Sequence, residues 1–515
     1  MKDFLERKGT LVEGRLPFIN PANGEQFGSV PAASAADARC AVLQMRVLTG
    51  EWGRRSLKSR IQLLRKFYQV LFDEIETITT VISRDTGKPR QDALIELYTC
   101  MYYFDTLLRK APQWLRREKV PTGLQMFKKA ELRWKPYGVV AVISPWNYPF
   151  VLTMNPVLGA LTAGNTVVVK PSEFSAAVGA GMEALFRKVP ELNDCIRFLH
   201  GDAVVGSALV ESGPDLVFVT GSVSTGKAIL STAAKSVTPV VCELGGKDPL
   251  IVLEDADVLA AARWGLWGAF SNSGQTCMSP ERIYVVSDVY NEFLETCLQE
   301  AQKIRVGFSE EAEAPYHYGP MTTIQQLEIV ERQLDDAVGK GAVVRFGGEH
   351  NGMFFQPTIL TEVDSSMALL QEETFGPLLP VIRVRDKAEA VYLANQSAYG
   401  LSAAVFGENL FQAIEVAEAL EVGSVNINDT MSHYGLPRLP FGGVKQSGFG
   451  RINGRDGLRT FTVPASVVYG KPKPYDIGTI LRKPGKYTLA KSTMLAVLGP
   501  TLKDRIKGVL QLLRK

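Results

Sequence analysis

The chain has few of the residues that most often mark a special chemistry. Six cysteines occur in 515 residues, at 40, 100, 195, 242, 277 and 297, and none forms a CxxC pair. That spacing fits neither a zinc ribbon nor a dithiol redox motif. Scattered, unpaired cysteines belong to a reducing compartment. Only four histidines are present, without HxxxH or HExxH spacing, so no catalytic metal is expected. A run of about 18 apolar residues, the mark of a membrane-crossing helix, does not occur. The start, Met1-Lys2-Asp3-Phe4-Leu5-Glu6-Arg7-Lys8, has no apolar core of signal-peptide length. A cytoplasmic protein is expected. There is no internal repeat and no low-complexity linker.

What remains is globular material. Hydrophobic residues make up 46% and charged residues 22%, the balance of a soluble domain protein. The length exceeds one core, so about two to four structural units are expected. The net charge of +3 hides an asymmetry. Residues 470–515 hold eleven Lys and Arg against Asp476 and Asp504, a balance of +9, which leaves −6 for the rest. The body is mildly acidic and carries a basic tail. With few aromatics in that tail, nucleic acid is not an expected partner.

Apolar runs alternate with amphipathic stretches. Val139 to Ser144, Thr166 to Lys170 and Leu216 to Thr220 read as buried strands, with a helical segment from Val151 to Ala163 between the first two. Continuous β-branched runs separated by helices indicate a parallel sheet with crossover helices. A second set, Leu250 to Leu253, Arg282 to Val286 and Leu379 to Val384, begins another α/β unit near residue 246. Residues 118–137 read as an extended hairpin, and Phe461 to Tyr469 as late strand material.

Several short motifs sit at the ends of these strands. Gly221-Ser222-Val223-Ser224-Thr225-Gly226 follows a strand and opens a helix. Small residues there let a backbone approach a pyrophosphate, and the helix N-terminus favours its charge. It is not the GxGxxG fingerprint, and alone it reads equally as a tight turn. Lys170-Pro171-Ser172-Glu173 places a cation and a carboxylate where a ribose is gripped, or forms an ordinary surface turn. A carboxylate there repels a 2′-phosphate. In Pro145-Trp146-Asn147-Tyr148-Pro149 two prolines fix the backbone around an amide able to donate to an oxyanion. Cys277 in Gly274-Gln275-Thr276-Cys277 offers a thiol nucleophile. Glu243 in Glu243-Leu244-Gly245-Gly246-Lys247 offers a base for water. Either residue alone would read as a core thiol or a solvated charge.

Together with Glu373-Thr374-Phe375-Gly376-Pro377 and Pro440-Phe441-Gly442-Gly443-Val444-Lys445, these motifs occur in a consistent order over about residues 15–470. In that order and spacing the chain resembles the NAD(P)-dependent aldehyde dehydrogenase superfamily. The resemblance implies an α/β fold with a Rossmann-like cofactor domain, a catalytic α/β domain and a β-hairpin oligomerisation flap. It maps the cofactor domain to 1–117 and 138–245 and the catalytic domain to 246–450. The oligomerisation element falls at 118–137 and 459–470, in a homodimer or homotetramer.

The same resemblance assigns roles. Cys277 matches the nucleophile, Glu243 the base, and Asn147 the side-chain oxyanion donor beside the Cys277 N–H. Lys170 and Glu173 match the adenosine-ribose grip, and Gly221, Ser222 and Gly226 the pyrophosphate turn. Trp146 and Leu244 match the wall of the cofactor cleft. Glu373 matches the nicotinamide-ribose ligand, and Phe375 the nicotinamide wall. NAD is the expected cofactor, with NADP not excluded. Tyr148, Thr276 and Met278 are expected to line the aldehyde tunnel, with the loop 428–435 at its mouth. No Arg or Lys pair is in view for an anionic substrate, so a medium-chain, long-chain or aromatic aldehyde is expected. A free thiol is mostly protonated at neutral pH, so local dipoles or Glu243 must raise its thiolate fraction. Oxidation to a carboxylate through a cysteine thiohemiacetal and thioester follows. A coenzyme A-acylating semialdehyde dehydrogenase and a non-catalytic scaffold are the alternatives. Glu243 argues against the first, and retention of nucleophile, base and oxyanion donor against the second.

Residues 471–515 depart from the family pattern. Leu502, Ile506, Val509, Leu510 and Leu513 recur at helical spacing among basic residues. That is the pattern of a basic amphipathic helix on an anionic membrane surface at the cytoplasmic face, or of a helix packed on the body or on a neighbouring subunit.

Overall fold

The computed structural model describes residues 2–123, 128–470 and 485–513. Contacts divide the chain into two compact units. One comprises Met1–Arg117 with Arg133–Ala465, the other Glu118–Leu132 with Ser466–Lys515.

Two large sheets build the first unit. The six-stranded sheet has the order Gly448–Phe449, Val240–Glu243, Leu216–Thr220, Val139–Ile143, Thr166–Lys170 and Ile196–Phe198. Every pairing is parallel except the first. All five residues of Val139–Ile143 and of Thr166–Lys170 are buried. Helices on both faces leave such strands no polar side, which is why they read as unbroken β-branched runs. From Val139–Ile143 the chain steps outward to Thr166–Lys170 and Ile196–Phe198. It then returns to Leu216–Thr220 on the opposite side. The loops leaving Val139–Ile143 and Leu216–Thr220 therefore diverge, and a crevice opens between them.

The seven-stranded sheet has the order Val343–Phe346, Thr358–Thr361, Leu378–Val384, Pro280–Val286, Asp248–Val252, Ser402–Phe406 and Ser424–Ile427. Only its first pairing is antiparallel. The chain leaves the first sheet at Glu243 and enters the second at Asp248. Glu243-Leu244-Gly245-Gly246-Lys247 is thus the seam between the sheets. Close packing explains its glycines. A Cβ on Gly246 would strike the Cys277 carbonyl oxygen, and one on Gly245 the Glu373 carboxylate.

In the second unit, Glu118–Val120 pairs antiparallel with Ala130–Leu132, and Tyr469 donates to Glu131 Oε1 at 2.7 Å. Two helices follow, Lys486–Leu498 and Leu502–Leu513. The second is the amphipathic helix read from the sequence. The first escapes a periodicity reading because Leu489, Met494, Val497 and Leu498 do not keep to one face. The basic residues Lys471, Lys473, Arg482, Lys483, Arg514 and Lys515 lie outside the described residues.

Candidate active site

Cys277 sits in a turn that local backbone preference opposes. Asn272, Ser273 and Gly274 all have positive φ, at 53°, 60° and 72°. For non-glycine residues such conformations are costly and persist only where surroundings over-determine them. Here they do. Ser273 Oγ donates to the Gly319 carbonyl at 2.8 Å. Gln275 Nε2 donates to the Asn272 carbonyl at 2.9 Å, and Gln275 Oε1 accepts from Thr322 N–H at 2.9 Å. At Gly274 a Cβ would meet the Gly376 backbone, so glycine is required by space as well as by φ.

The Asn147 loop is pinned from the other side. Lys88 Nζ donates to the Asn147 carbonyl at 2.8 Å and to Glu96 Oε2 at 2.8 Å. Glu96 Oε1 accepts from the N–H groups of Phe150 and Val151 at 2.8 and 3.2 Å. A carboxylate thereby satisfies the orphan donors at the start of the helix Val151–Ala163. The Lys88 ammonium also lies 4.1 Å from the Tyr148 ring centre. The two loops are tied together directly. Asn272 Nδ2 donates to the Asn147 carbonyl at 3.1 Å, and Asn147 Nδ2 to the Gln275 carbonyl at 2.9 Å. An amide nitrogen carries two hydrogens, so Asn147 keeps one for another acceptor.

Cys277, Glu243 and Asn147 share one crevice of about 210 Å³, together with Trp146, Gly221, Ser222, Leu244, Glu373 and Phe375. Lys170, Glu173, Gly226, Tyr148, Thr276 and Met278 do not line it. Lys170 and Glu173 are ion-paired with each other at the end of the neighbouring strand. Gly226 lies in the helix Val223–Ala234, where a Cβ would stand 2.7 Å from the Leu244 methyls. Tyr148 and Thr276 share a hydrogen bond of 3.0 Å between their hydroxyls, and Tyr148 and Met278 pack against the largest apolar cluster.

Glu243 is the electrostatic anomaly. It is 5% exposed, and neither carboxylate oxygen has a hydrogen-bond partner. Burial drives its pKa well above the usual carboxylate value, opposed only by the Arg451 charge. The Cys277 thiol is also pushed up, first by burial and then by the carboxylates of Glu373, Asp248 and Glu243. The expected rise in thiolate fraction through Glu243 is therefore corrected. As a charge Glu243 disfavours the thiolate, and it can help the thiol only by taking its proton. Glu373 accepts from Gly246 N–H at 2.9 Å, and burial raises its pKa to about 8, with Glu281 adding to the rise.

Beneath the crevice Glu281 does structural service. It accepts from Lys247 Nζ at 2.6 Å and from the N–H groups of Thr374 and Phe375, each at 2.8 Å. That grip holds Phe375 at a φ of 49°. Its ring meets Trp146 edge-on, with centres 5.4 Å apart.

These features fit a dinucleotide. Ser222 caps the helix Val223–Ala234 by accepting from Thr225 N–H, which leaves a helix N-terminus facing the crevice at the sheet's switch point. Gly226 lets that helix close down on Leu244. Trp146 and Phe375 supply flat apolar walls for a planar ring.

Lys88, Glu96, Asn272, Glu281 and Arg451 were not legible in the sequence. The first four contact a partner far away along the chain, Arg451 acts on Glu243 only through its charge, and no local signal marks any of them. Only the prolines of Pro145–Pro149 hint that something must hold that loop.

A crevice at the switch point of a doubly wound sheet, opening on a half-buried thiol, is the arrangement of an enzyme that sets a dinucleotide beside a nucleophile. The aldehyde dehydrogenase family model matches residues 10–467. The chain is 39% identical to 4,4'-diapolycopene aldehyde oxidase from Methylomonas sp, over 87% of this chain and 84% of that protein. It is 34% identical to the chloroplastic betaine aldehyde dehydrogenase of Atriplex hortensis, over 88% of this chain and 93% of that protein. A point mutant of betaine aldehyde dehydrogenase from Staphylococcus aureus, in complex with NAD+, superposes with a TM-score of 0.86. That pair is 30% identical, over 92% of this chain and 98% of that one. The chain belongs to the aldehyde dehydrogenase family and is an NAD(P)-dependent enzyme that oxidises an aldehyde to the acid. Action on an aldehyde and oligomerisation are typical of that family.

Proposed function

We propose that Cys277 carries the reaction as a covalent nucleophile and that Glu243 is its base. The observation behind this is the unpaired, buried Glu243 carboxylate sharing a cavity with the thiol. The Cys277 sulfur bonds to the aldehyde carbon as the C=O π pair moves to oxygen and the thiol proton passes to ionised Glu243, which releases it to solvent before the hydrolytic step. The free hydrogen of Asn147 Nδ2 and the Cys277 N–H receive the negative carbonyl oxygen. A bound nicotinamide supplies a hydride acceptor, held by Trp146, Glu373 and Phe375, with Gly221 and Ser222 at the pyrophosphate and Lys170 and Glu173 at the adenosine ribose. The acyl group is then a Cys277 thioester. A second cavity of about 20 Å³ is lined by both Glu243 and Cys277, which is room for about one water. Glu243 takes that water's proton, hydroxide attacks the thioester carbon, and the carboxylate departs as the thiol is restored.

The aldehyde in this proposal is apolar. Its acyl end would meet apolar side chains beside Cys277, since Leu152, Leu401, Tyr434, Phe441 and Ile452 line the small cavity there. Tyr434 comes from the loop expected at the tunnel mouth, and Tyr148, Thr276 and Met278 would line the approach. The Methylomonas relative, named for a diapolycopene aldehyde, supports that class. Glu173 favours NAD over NADP. The hairpin and late strand serve assembly, the two sheets form cofactor and catalytic domains, and the basic tail makes peripheral contact with a membrane surface.

The test is NADH formation across straight-chain aldehydes of rising length plus benzaldehyde, with NAD and NADP in parallel. kcat/KM rising with chain length, and higher with NAD, is expected. A flat profile with strong turnover of a small polar aldehyde would overturn the substrate class.

A further inference from the structure

The two C-terminal helices are folded inside out for water. The closest contacts between them are made by small and polar residues. Gly508 is buried against Ala496, so closely that a Cβ would collide with its backbone. Buried Ser492 donates to Gln511 Oε1 at 3.1 Å. Asp504 is turned to the connection, where it accepts from Thr501 Oγ1 at 2.6 Å. Arg505 Nε closes the same turn on the Gly499 carbonyl at 2.9 Å. Leu495 and Leu512 are half-buried, but most of the large apolar side chains point outward. Tyr487, Leu498, Leu502 and Leu513 are 79%, 70%, 75% and 76% exposed, and Leu489, Met494, Ile506 and Leu510 are each at least half exposed.

A helix pair stabilised in water buries its leucines between the helices. This pair spends its inner face on glycine, alanine and serine, as helices do when apolar surroundings make hydrophobic burial between them worthless. Its outer face requires a cover. The charge on that face says which. Lys486, Lys491, Lys503, Arg505 and Lys507 are exposed, and the one acid of the pair, Asp504, is engaged in the turn. Helices of 13 and 12 residues fall short of the about 20 needed to cross a bilayer. Among the described residues no helix is long and apolar enough to do so. Short length, outward leucines and unopposed basic charge together describe a helix pair lying in the plane of an interface.

We propose that Lys486–Leu513 is a monotopic docking hairpin for an anionic lipid surface, with its apolar exterior sunk among the acyl chains and its lysines at the headgroups. The inference rests on the membrane reading of the tail given above. It adds which residues enter the lipid and which lipid charge they require. For an apolar aldehyde dissolved in a bilayer, such a hairpin would keep the enzyme where its substrate is.

The experiment is vesicle flotation of the full-length protein. It uses neutral phosphatidylcholine vesicles and phosphatidylcholine vesicles containing phosphatidylglycerol. One variant combines Leu502→Glu, Ile506→Glu and Leu513→Glu. These positions are exposed, and glutamate is a good helix former, so the fold is kept. A second variant combines Lys503→Gln and Lys507→Gln. The expected result is flotation of the parent on the anionic vesicles only, lost in the first variant and weakened in the second. Oligomeric state by light scattering and turnover of a water-soluble aldehyde should not change. Flotation of the first variant equal to the parent would keep membrane contact but overturn the hairpin as its cause. No flotation of the parent would overturn both. A shift of the first variant to a smaller oligomer would assign the apolar face to a second copy of the chain.

Discussion

Glu243 and Glu281 are the same residue type at almost the same burial, 5% and 3% exposed, in two regions of one site. Glu281, in the floor, accepts from an ammonium and two backbone N–H groups. Glu243, which lines the small cavity together with Cys277, accepts from nothing. A buried carboxylate with matched donors fixes structure. One without them is held at a raised pKa and is ready to exchange a proton. Satisfaction, and not burial, separates scaffold from chemistry here.

Substitutions should pull the two regions apart. The largest effect is expected at the Cys277 thiol. Cys277→Ala should reduce turnover on the order of 10⁴–10⁶-fold while NAD binding, followed by fluorescence quenching, is retained. Glu243→Gln should slow steady-state turnover by about 10²–10⁴-fold and leave unfolding stability equal or higher, since an unpartnered buried acid is replaced by a neutral amide. Glu281→Gln should do the reverse. Breaking a buried pair costs about 3–5 kcal/mol, visible as a lower midpoint in denaturant unfolding. Its kinetic loss should be smaller and should come through a displaced Phe375, as weaker cofactor binding. Asn147→Ala should lower kcat by about 10²–10³-fold with little change in stability.

The smallest effect is in pH dependence. In the proposed role Glu243 acts as a base only after losing its proton, and burial has raised its pKa. The competent fraction therefore grows as pH rises, and turnover should climb on the alkaline side of an ordinary carboxylate titration. That limb should vanish in Glu243→Gln, leaving whatever slope Glu373, at about 8, contributes.

The sequence made one half of this comparison legible and not the other. Glu243 stands in a glycine-rich motif at a strand end. The glycines are needed because Cys277 and Glu373 crowd the backbone there, so a spatial constraint left a local trace. Glu281 lies at the head of the strand Pro280–Val286 with partners 34, 93 and 94 residues away, and nothing local announces it. The same holds for Lys88, which reaches across 59 residues to Asn147 and reads in sequence as a surface charge. Buried strands were legible because burial on both faces dictates composition. In the C-terminal hairpin the last helix was legible from its period. Its inside-out packing was not, because the small residues Ser492, Ala496 and Gly508 gain meaning only when the two helices are seen together.

In the proposed mechanism Cys277 forms the acyl-enzyme and Glu243 activates the water that hydrolyses it. Rapid mixing of Glu243→Gln with NAD and a good aldehyde substrate tests it most directly, by NADH absorbance followed through the first turnover. A burst limited to the concentration of active sites is expected, then near-arrest, with an acylated Cys277 found by mass spectrometry of the quenched protein. Sustained turnover at the parent rate, with no trapped acyl group, would contradict it.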